Sequence, residues 1–298
     1  MENSRKPLVA IILVNYNGYT DTVECVKSIR ESTYPAYRII VVDNGSGDAE
    51  RLQQDAFLNE HTTLILSEEN LGFSGGNNLG IEYAETAFAP EYYFLLNNDT
   101  VIEPQALERM VDTCENTADC GILTGRILYY SEPKLLWAAG GKFDFRTGIA
   151  DQPALGQPDS AAYDGVEETT FCTGCAMLIP ARVLKTVGHL EESYFLYAED
   201  TDYCCRVMNA GFKLYYTGEA VIYHKVSAST GRTSDLSQYY NIRNNFYIIQ
   251  KYCTRPLLGY GKRWYRILRS LLRKELTLGN VVRGYRDFKR GIVGKVDL

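Results

Sequence analysis

The sequence predicts an α/β fold, a doubly wound and mostly parallel central sheet with helices on both faces, followed by a basic amphipathic helical extension. Three observations predict it. Short apolar runs alternate with amphipathic segments four times in succession from the N-terminus. Each of those runs leads into polar, turn-forming residues. Residues 251–298 then carry 13 Lys/Arg against 3 Asp/Glu, whereas the preceding 250 carry 18 against 34, a contrast hidden in the net charge of −6.

The elements follow in order. LVAIILVN (8–15) is the first strand and TDTVECVKSIRES (20–32) the helix behind it. YRIIVVDN (37–44) is followed by the helical DAERLQQDAF (48–57), TTLILS (62–67) by GGNNLGIEYAETAF (75–88), and YYFLLNND (92–99) by PQALERMVDTC (104–114). Successive strand–helix units place strands side by side in parallel, and ligands then bind beyond their carboxyl ends. Those ends read Asn15-Tyr16-Asn17-Gly18, Asp43-Asn44-Gly45-Ser46, ENLGFSGGNN and Asn97-Asn98-Asp99, so polar groups gather on one edge. Past residue 120 the alternation loosens into GILTGRILYY, LLWAAGGKFDFRTG and a polar connection, 151–168, that reads as a mobile surface loop. A strand CAMLIP, a helix started by Pro180, an acidic helix start YAEDTDYCCRVMNAG ended by Gly211, and two strands near KLYY and AVIYH complete the core. QYYNIRNNFYIIQKY reads as a helix with an aromatic side, on which Arg243 and Asn244 face either a ligand or, equally, a core with solvated Arg. The predicted organisation is one unit over 1–250, with halves of about 1–120 and 121–250, and a tail over 251–298.

The chain has 298 residues, 45% hydrophobic and 23% charged, which is the composition of a globular protein and excludes disordered and fibrous classes. Leu8–Val14 is too short for an export signal and Asn-Tyr-Asn-Gly replaces a cleavage site, so the expectation is a cytoplasmic protein. No run reaches the 18 or so apolar residues of a spanning helix, so membrane contact would be made from the surface. In YGKRWYRILRSLLRKEL, Lys262, Arg266, Arg269 and Arg273 share one side of a helix and Trp264, Ile267, Leu268 and Leu271 the other. That helix either packs on the body or lies on an anionic leaflet at the inner face of the cytoplasmic membrane. Nucleic acid is not an expected partner, because the acidic body would repel a duplex. The eight cysteines read as reduced, packed thiols, and a four-sulfur zinc site of Cys172, Cys175, Cys204 and Cys205 is the alternative.

Several residue patterns point to chemistry. Asp43 leaves a β-branched strand where it either starts a turn or accepts from a ribose or base. NLGFSGGNN (70–78) brings glycines ahead of a helix, which suits backbone approach to phosphate, yet neither a Walker loop nor a G-x-G-x-x-G is present. Asp99 is a hard oxygen ligand at a strand end, and an acid directly after YYFLL must be solvated, hydrogen-bonded or metal-bound. Glu199, Asp200 and Asp202 open a helix, where negative charge also suits the macrodipole. His224 closes AVIYH and is one of three histidines.

VNYNG (14–18), IIVVDNGS (39–46), NLGFSGGNN (70–78), LLNND (95–99), TGCAMLIP (173–180), FLYAEDTDYCCRVMNAGF (195–212) and VIYH (221–224) together resemble the inverting family 2 glycosyltransferases of the GT-A fold, in particular a rhamnosyltransferase-like branch. The resemblance implies a nucleotide-diphosphate-sugar donor bound by Asn15, Tyr16, Asn17, Asp43, Asn44, Asn70, Gly72, Phe73, Gly75, Gly76, Asn77 and Asn98, with Tyr16 and Asp43 near ribose and base. It implies Mg²⁺ or Mn²⁺ on Asp99 and His224, Asp200 as general base with Glu199 beside it, and Trp137, Thr173, Gly174 and Asp202 toward the acceptor. Position 97 is Asn where the family's full DxD triplet has Asp. The implied activity is inverting, metal-dependent transfer of a sugar, dTDP-rhamnose by likeness, to a hydroxyl of a glycan or lipid-linked acceptor in cell-surface polysaccharide synthesis. A sugar-phosphate nucleotidyltransferase would need a Gly-rich, Arg-containing loop after the first strand, which is absent, and a non-catalytic nucleotide-sugar or carbohydrate-binding module is the other alternative.

Overall fold

The computed structural model describes residues 5–47, 49–54, 61–226 and 234–297. The N-terminal half alternates as the sequence predicts: β1 (Val9–Asn15), α1 (Tyr19–Arg30), β2 (Tyr37–Asn44), α2 (Ala49–Gln54), β3 (Thr62–Ser67), α3 (Gly72–Ala87), β4 (Tyr92–Leu96), a short β5 (Thr100–Ile102) and α4 (Ala106–Glu115). The strands are continuous apolar runs because both faces are covered. With period two, Val9, Ile11, Leu13, Ile39 and Val41 pack with Cys25, Val26 and Ile29 of α1, while Ala10, Ile12, Ile40 and Val42 pack with Ile81 and Ala84 of α3. Each aliphatic side chain buried this way stabilises the sheet by ~1.5–3 kcal/mol.

The second half contributes β6 (Cys120–Tyr129), β7 (Leu136–Ala139), the hairpin β8 (Lys142–Asp144) and β9 (Ile149–Asp151), then β10 (Val166–Thr169), β11 (Ala176–Pro180), α5 (Ala181–Val187), α6 (Glu199–Asn209) and β12 (Lys213–His224). The large sheet has the order β10-β12-β6-β11-β4-β1-β2-β3, with β5 on β12 and β7 on β6. Strands β3, β2, β1 and β4 form the parallel array, β11 enters antiparallel between β4 and β6, and β6 and β12 are parallel again.

Two local expectations differ. KLYY and AVIYH are one strand, because Thr217 pairs with Gly125 and Val221 with Arg126. The residues between them bulge out, and it is this polar T-G-E step that reads as a turn in the sequence. The connection 151–168 is largely ordered: it contains a 3₁₀ turn, Ala161–Tyr163, and the edge strand β10. The buried Arg126 guanidinium gathers it by pairing with Asp159 and Asp164 and donating to the Tyr163 carbonyl, a long-range anchor that local composition does not reveal.

The chain closes with α7 (Asp235–Tyr252), α8 (Pro256–Leu272) and α9 (Leu278–Lys289). They share a small core of Ile242, Phe246, Ile267, Val281 and Phe288, in which the Phe246 and Phe288 rings stack 5.3 Å apart. Among the described residues no helix is long and apolar enough to cross a membrane. All eight cysteines are free, and Cys204 bonds the Cys172 backbone through both its sulfur lone pair and its thiol proton.

Candidate functional site

A cavity of about 320 Å³ opens at the carboxyl ends of β1, β2 and β4. Behind one wall lies an amide network, of which Asn98 reaches the lining while Asn15, read from the sequence as a donor contact, is fully buried behind it. Asn15 donates to Asp43 Oδ1 (2.8 Å) and accepts at Oδ1 from Gly18 N (3.0 Å) and Thr22 Oγ1 (2.9 Å), while Asn98 donates to Thr22 Oγ1 (2.8 Å). Asp43 is buried, and its second oxygen accepts from Ser46 N at 3.1 Å, so it lies one layer behind the cavity wall and fixes the turn there. Asn17 has φ +55° and accepts from Gly47 N, also outside the lining. Tyr16, Asn44, Asn70, Gly72, Phe73, Asn77 and Asn98 line the cavity.

Asn44 organises the glycine loop by donating to the Gly72 carbonyl (3.0 Å) and accepting from Leu71 N (2.9 Å). Gly72 has φ +75°, and a Cβ there would lie 2.2 Å from the Phe195 carbonyl oxygen, so no larger residue fits without displacing backbone. Phe73 N donates to that same carbonyl at 2.8 Å. Gly75 and Gly76, read from the sequence as donor contacts, lie inside α3 and off the lining. Their missing side chains admit Leu71 and Val14, with an added Cβ falling at 2.7 and 2.8 Å respectively.

Asp99 and His224 meet at the cavity, with Asp99 Oδ1 and His224 Nε2 3.1 Å apart. The β5–β12 pairing makes the meeting, since it sets His224 opposite Thr100. Trp137 stands edge-on to the imidazole with centroids 4.4 Å apart. Burial opposes a charged ring, but Cys175 and the Asp99 carboxylate outweigh it and push His224 up to about 10. The Cys175 thiol is itself raised by burial, so in the absence of a cation it is Asp99 that favours the protonated ring, and a cation would bind the ring in its neutral form. His224 Nδ1 is buried with no partner among the described residues. Among those residues no three His, Cys, Asp or Glu side chains form a metal cluster. One carboxylate and one imidazole facing a cavity fit a divalent cation whose remaining ligands come from substrate and water.

Asp200 and Glu199 start α6 and line the same cavity. Asp200 Oδ2 accepts from Gly174 N (3.1 Å) and Oδ1 from Thr201 N (2.6 Å) and Thr201 Oγ1 (3.2 Å). Burial raises its pKa, opposed by those bonds. Glu199 is 6% exposed, its Oε2 has no partner among the described residues, and burial together with the Asp200 charge pushes it up to about 8. The two acids are therefore split: the hydrogen-bonded Asp200 ionises first and Glu199 stays protonated near neutrality. Thr173, Gly174 and Trp137 also line the cavity, Gly174 beside Asp200 and Trp137 beside His224. Asp202 does not. It is fully buried and occupied by Arg206 (2.8 Å), Lys251 (2.7 Å) and Tyr252 (2.7 Å), a structural charge cluster on the other face of the same helix from Asp200.

Of the two sequence alternatives for Arg243 and Asn244, a ligand contact or a core helix with solvated Arg, the structure shows the core helix, with the Arg buried and not solvated. Both are fully buried in α7 and hold the segment before Glu199. There Phe195, Tyr197 and Ala198 all have positive φ (64°, 65° and 74°), an unfavourable backbone for residues with side chains. Asn244 Nδ2 reaches the carbonyls of Tyr194 (3.0 Å), Leu196 (2.8 Å) and Tyr197 (2.8 Å), and Arg243 donates to Tyr194 O (3.1 Å) and Gly294 O (2.8 Å). The strained segment lines the cavity through Phe195, Leu196 and Tyr197. Adjacent Arg-Asn in an aromatic helix was the only local signal for this clamp.

A parallel β–α array thus places paired amides, an Asp–His pair and two unequal acids around one cavity, and the fold that does so is of the GT-A type. The fold assignment comes from likeness to a crystal structure of GalNAc-T7 with UDP, GalNAc and Mn²⁺, at a TM-score of 0.65 and 14% identity over 83% of this chain. This chain spans about half of that one, 48%. The family model described as Glycosyl transferase family 2 matches residues 10–188, and the chain belongs to that family. It is 26% identical over 239 residues to a low-salt glycan biosynthesis hexosyltransferase, Agl10, of Haloferax volcanii, covering 80% of this chain and 74% of that protein. It is 23% identical over 223 residues to a putative teichuronic acid biosynthesis glycosyltransferase, TuaG, of Bacillus subtilis, covering 74% and 80%.

Proposed function

We propose that this glycosyltransferase moves a sugar from a nucleotide-diphosphate donor to a hydroxyl of a glycan or lipid-linked acceptor, with inversion, in the synthesis of a cell-surface polysaccharide. Residues 1–250 are the catalytic unit in this reading, at the cytoplasmic face of the membrane. The observation that carries it is the convergence of Asp99 with His224 and of Asp200 with Glu199 on one cavity beside the Asn44-anchored glycine loop. The donor enters along Tyr16, Asn44, Asn70 and Asn77. Asp200 takes the acceptor hydroxyl proton as the oxygen bonds to the anomeric carbon and the bond to the diphosphate breaks. Glu199, protonated, donates to an acceptor or donor oxygen, which satisfies its orphaned atom. A Mg²⁺ or Mn²⁺ on Asp99 and His224 would neutralise charge on the departing diphosphate. A single base facing the leaving group from the opposite side yields inversion. Likeness offers dTDP-rhamnose as the donor.

A panel of UDP-, GDP- and dTDP-sugars tests the reading, by thermal shift with and without Mn²⁺ and by nucleotide release with an acceptor. Metal-dependent stabilisation by one donor, and its turnover by the wild type but not by Asp99→Ala, is expected. Donor binding with no transfer to any glycan or lipid-linked acceptor would favour a binding module, and release of diphosphate from a sugar phosphate and a nucleoside triphosphate would favour a nucleotidyltransferase.

A further inference from the structure

The α8–α9 hairpin has a face that the reaction does not use. On α8, Tyr260, Ile267 and Leu271 turn inward onto α7 and α9. At 100° per residue, Leu257, Tyr265, Leu268 and Leu272 instead form a separate stripe about 80° wide. It is open to solvent, with Leu257 91%, Leu272 77% and Leu268 57% exposed. Leu278 and Val282 of α9 are likewise exposed. Against α7, α8 runs backward, with Gly259 at Ile249 and Arg263 at Asn241, and α9 forward, with Thr277 at Gln238 and Phe288 at Phe246. The two are therefore antiparallel, Trp264 and Tyr285 meet edge to face at 4.9 Å, and Leu278 and Val282 extend the α8 stripe across the hairpin's outer side. Lys262, Arg266, Arg269 and Arg273 form the next stripe on α8. Among the described residues Lys262 and Arg269 have no ion-pair partner within 4.0 Å, while Arg266 pairs with Asp151 and Arg273 with Glu275.

Water is a poor medium for six exposed aliphatic and aromatic side chains in one patch, and a protein partner of unspecified shape does not explain the parallel stripe of cations. An anionic bilayer surface does, taking apolar residues into its interface and holding Lys and Arg at its head groups. The rest of the chain, with 34 Asp/Glu against 18 Lys/Arg up to residue 250, is repelled by the same surface, which orients the molecule with the hairpin down. The patch also leads to the cavity. Thr277 N and Asn280 Nδ2 bond Gln238 and Asp235 at 2.7 Å each, fixing the start of α9 to the first turn of α7, where Leu236 both lines the cavity and is 37% exposed to solvent, which marks an opening there.

We infer that the outer face of the α8–α9 hairpin docks on an anionic phospholipid bilayer and so sets the cavity mouth at Leu236 against the membrane surface. Coupled with the proposed function, on which this last step rests, the acceptor is lipid-linked and is reached without leaving its leaflet.

The full chain is sedimented with vesicles of phosphatidylglycerol and phosphatidylcholine, with vesicles of phosphatidylcholine alone, and alone. Binding to the anionic vesicles that weakens with salt is expected. Arg269→Gln/Arg273→Gln lowers the partition ~30-fold, and Leu268→Ser/Leu272→Ser lowers it at least ~10-fold. Both pairs lie on the surface, and unchanged circular dichroism confirms their folding. Absent binding, equal binding to neutral vesicles, or partition unchanged in both variants overturns the inference. So does a dimer in sedimentation velocity that Leu268→Ser/Leu272→Ser abolishes while vesicles bind nothing. Vesicle binding as expected with no transferase activity leaves the docking standing and refutes the proposed function, whereas transfer to a water-soluble acceptor without vesicle binding does the reverse.

Discussion

Replacing Asn244 tests whether the strained segment before Glu199 is held by that side chain. An amide nitrogen carries two hydrogens, so its three carbonyl partners amount to two bonds, worth about 1 kcal/mol net each. Its Oδ1 also accepts from Arg243 Nε at 2.9 Å, a bond to a charged donor worth ~1.5–3 kcal/mol. Asn244→Ala therefore costs about 3–5 kcal/mol. Against it stand three positive-φ residues that each store ~1–3 kcal/mol and persist only while their surroundings dictate it. The segment relaxes before the domain unfolds. Hydrogen exchange of the 195–198 amides is expected to accelerate at least ~10-fold while the central strands are unchanged. Turnover falls ~10²-fold through misplacement of Asp200. Asn244→Asp, the same shape with an acceptor in place of the donor, is expected to be no better than Ala. Stability within ~0.5 kcal/mol of wild type and unchanged exchange in Asn244→Asp would refute the clamp.

The other expectations are briefer. Asp200→Asn lowers turnover ~10²- to 10⁴-fold and leaves donor affinity by calorimetry nearly intact; near-normal turnover removes it as base. Glu199, raised from 4.5 to about 8, favours the fold when neutral, so its contribution is complete below about pH 4.5 and erodes as pH rises toward 8. Glu199→Gln mimics the neutral form, and urea titrations should show the variant gaining on wild type over that window; a gap independent of pH contradicts the assignment. Asp202 is opposed by burial but held below the usual carboxylate range by Lys251, Tyr252 and Arg206, so its stabilisation is present at neutral pH and lost as pH falls through its depressed pKa. Asp202→Asn should cost ~3–5 kcal/mol at neutral pH, with the gap closing in acid. Gly72→Ala should destabilise by ~1–2 kcal/mol from its φ alone, and more from the Phe195 carbonyl; an unchanged melting temperature would show that the loop has slack.

The N-terminal half of the fold was legible because β1, β2 and β4 are apolar on both faces, and strands of that kind announce themselves whatever their neighbours. The Asp99–His224 pair was legible only through motif likeness, since the two are 125 positions apart and meet through the β5–β12 pairing. Asp43 and Asp202 show the limit. An acid at a strand end or a helix start looks the same whether it faces a cavity or an Asn, Arg or Lys partner, and the partner is what decides. The tail was read as two-sided, with Ile267, Leu268 and Leu271 together. Packing against α7 and α9 divides them, and Leu268 belongs with Leu257 and Leu272 on a third side. Arg126, whose guanidinium gathers the connection before β10, likewise acts through residues more than thirty positions away.

The basic hairpin gives the molecule two electrical poles, and its net charge of −6 describes neither. At neutral pH it should adhere to cation exchangers as well as to anion exchangers. In buffers near 0.01 M ionic strength, where the screening length is about 30 Å, the positive pole of one copy can seek the negative flank of the next. Such head-to-tail attachment has no closing symmetry, so solutions should cloud on desalting and clear again when salt is restored.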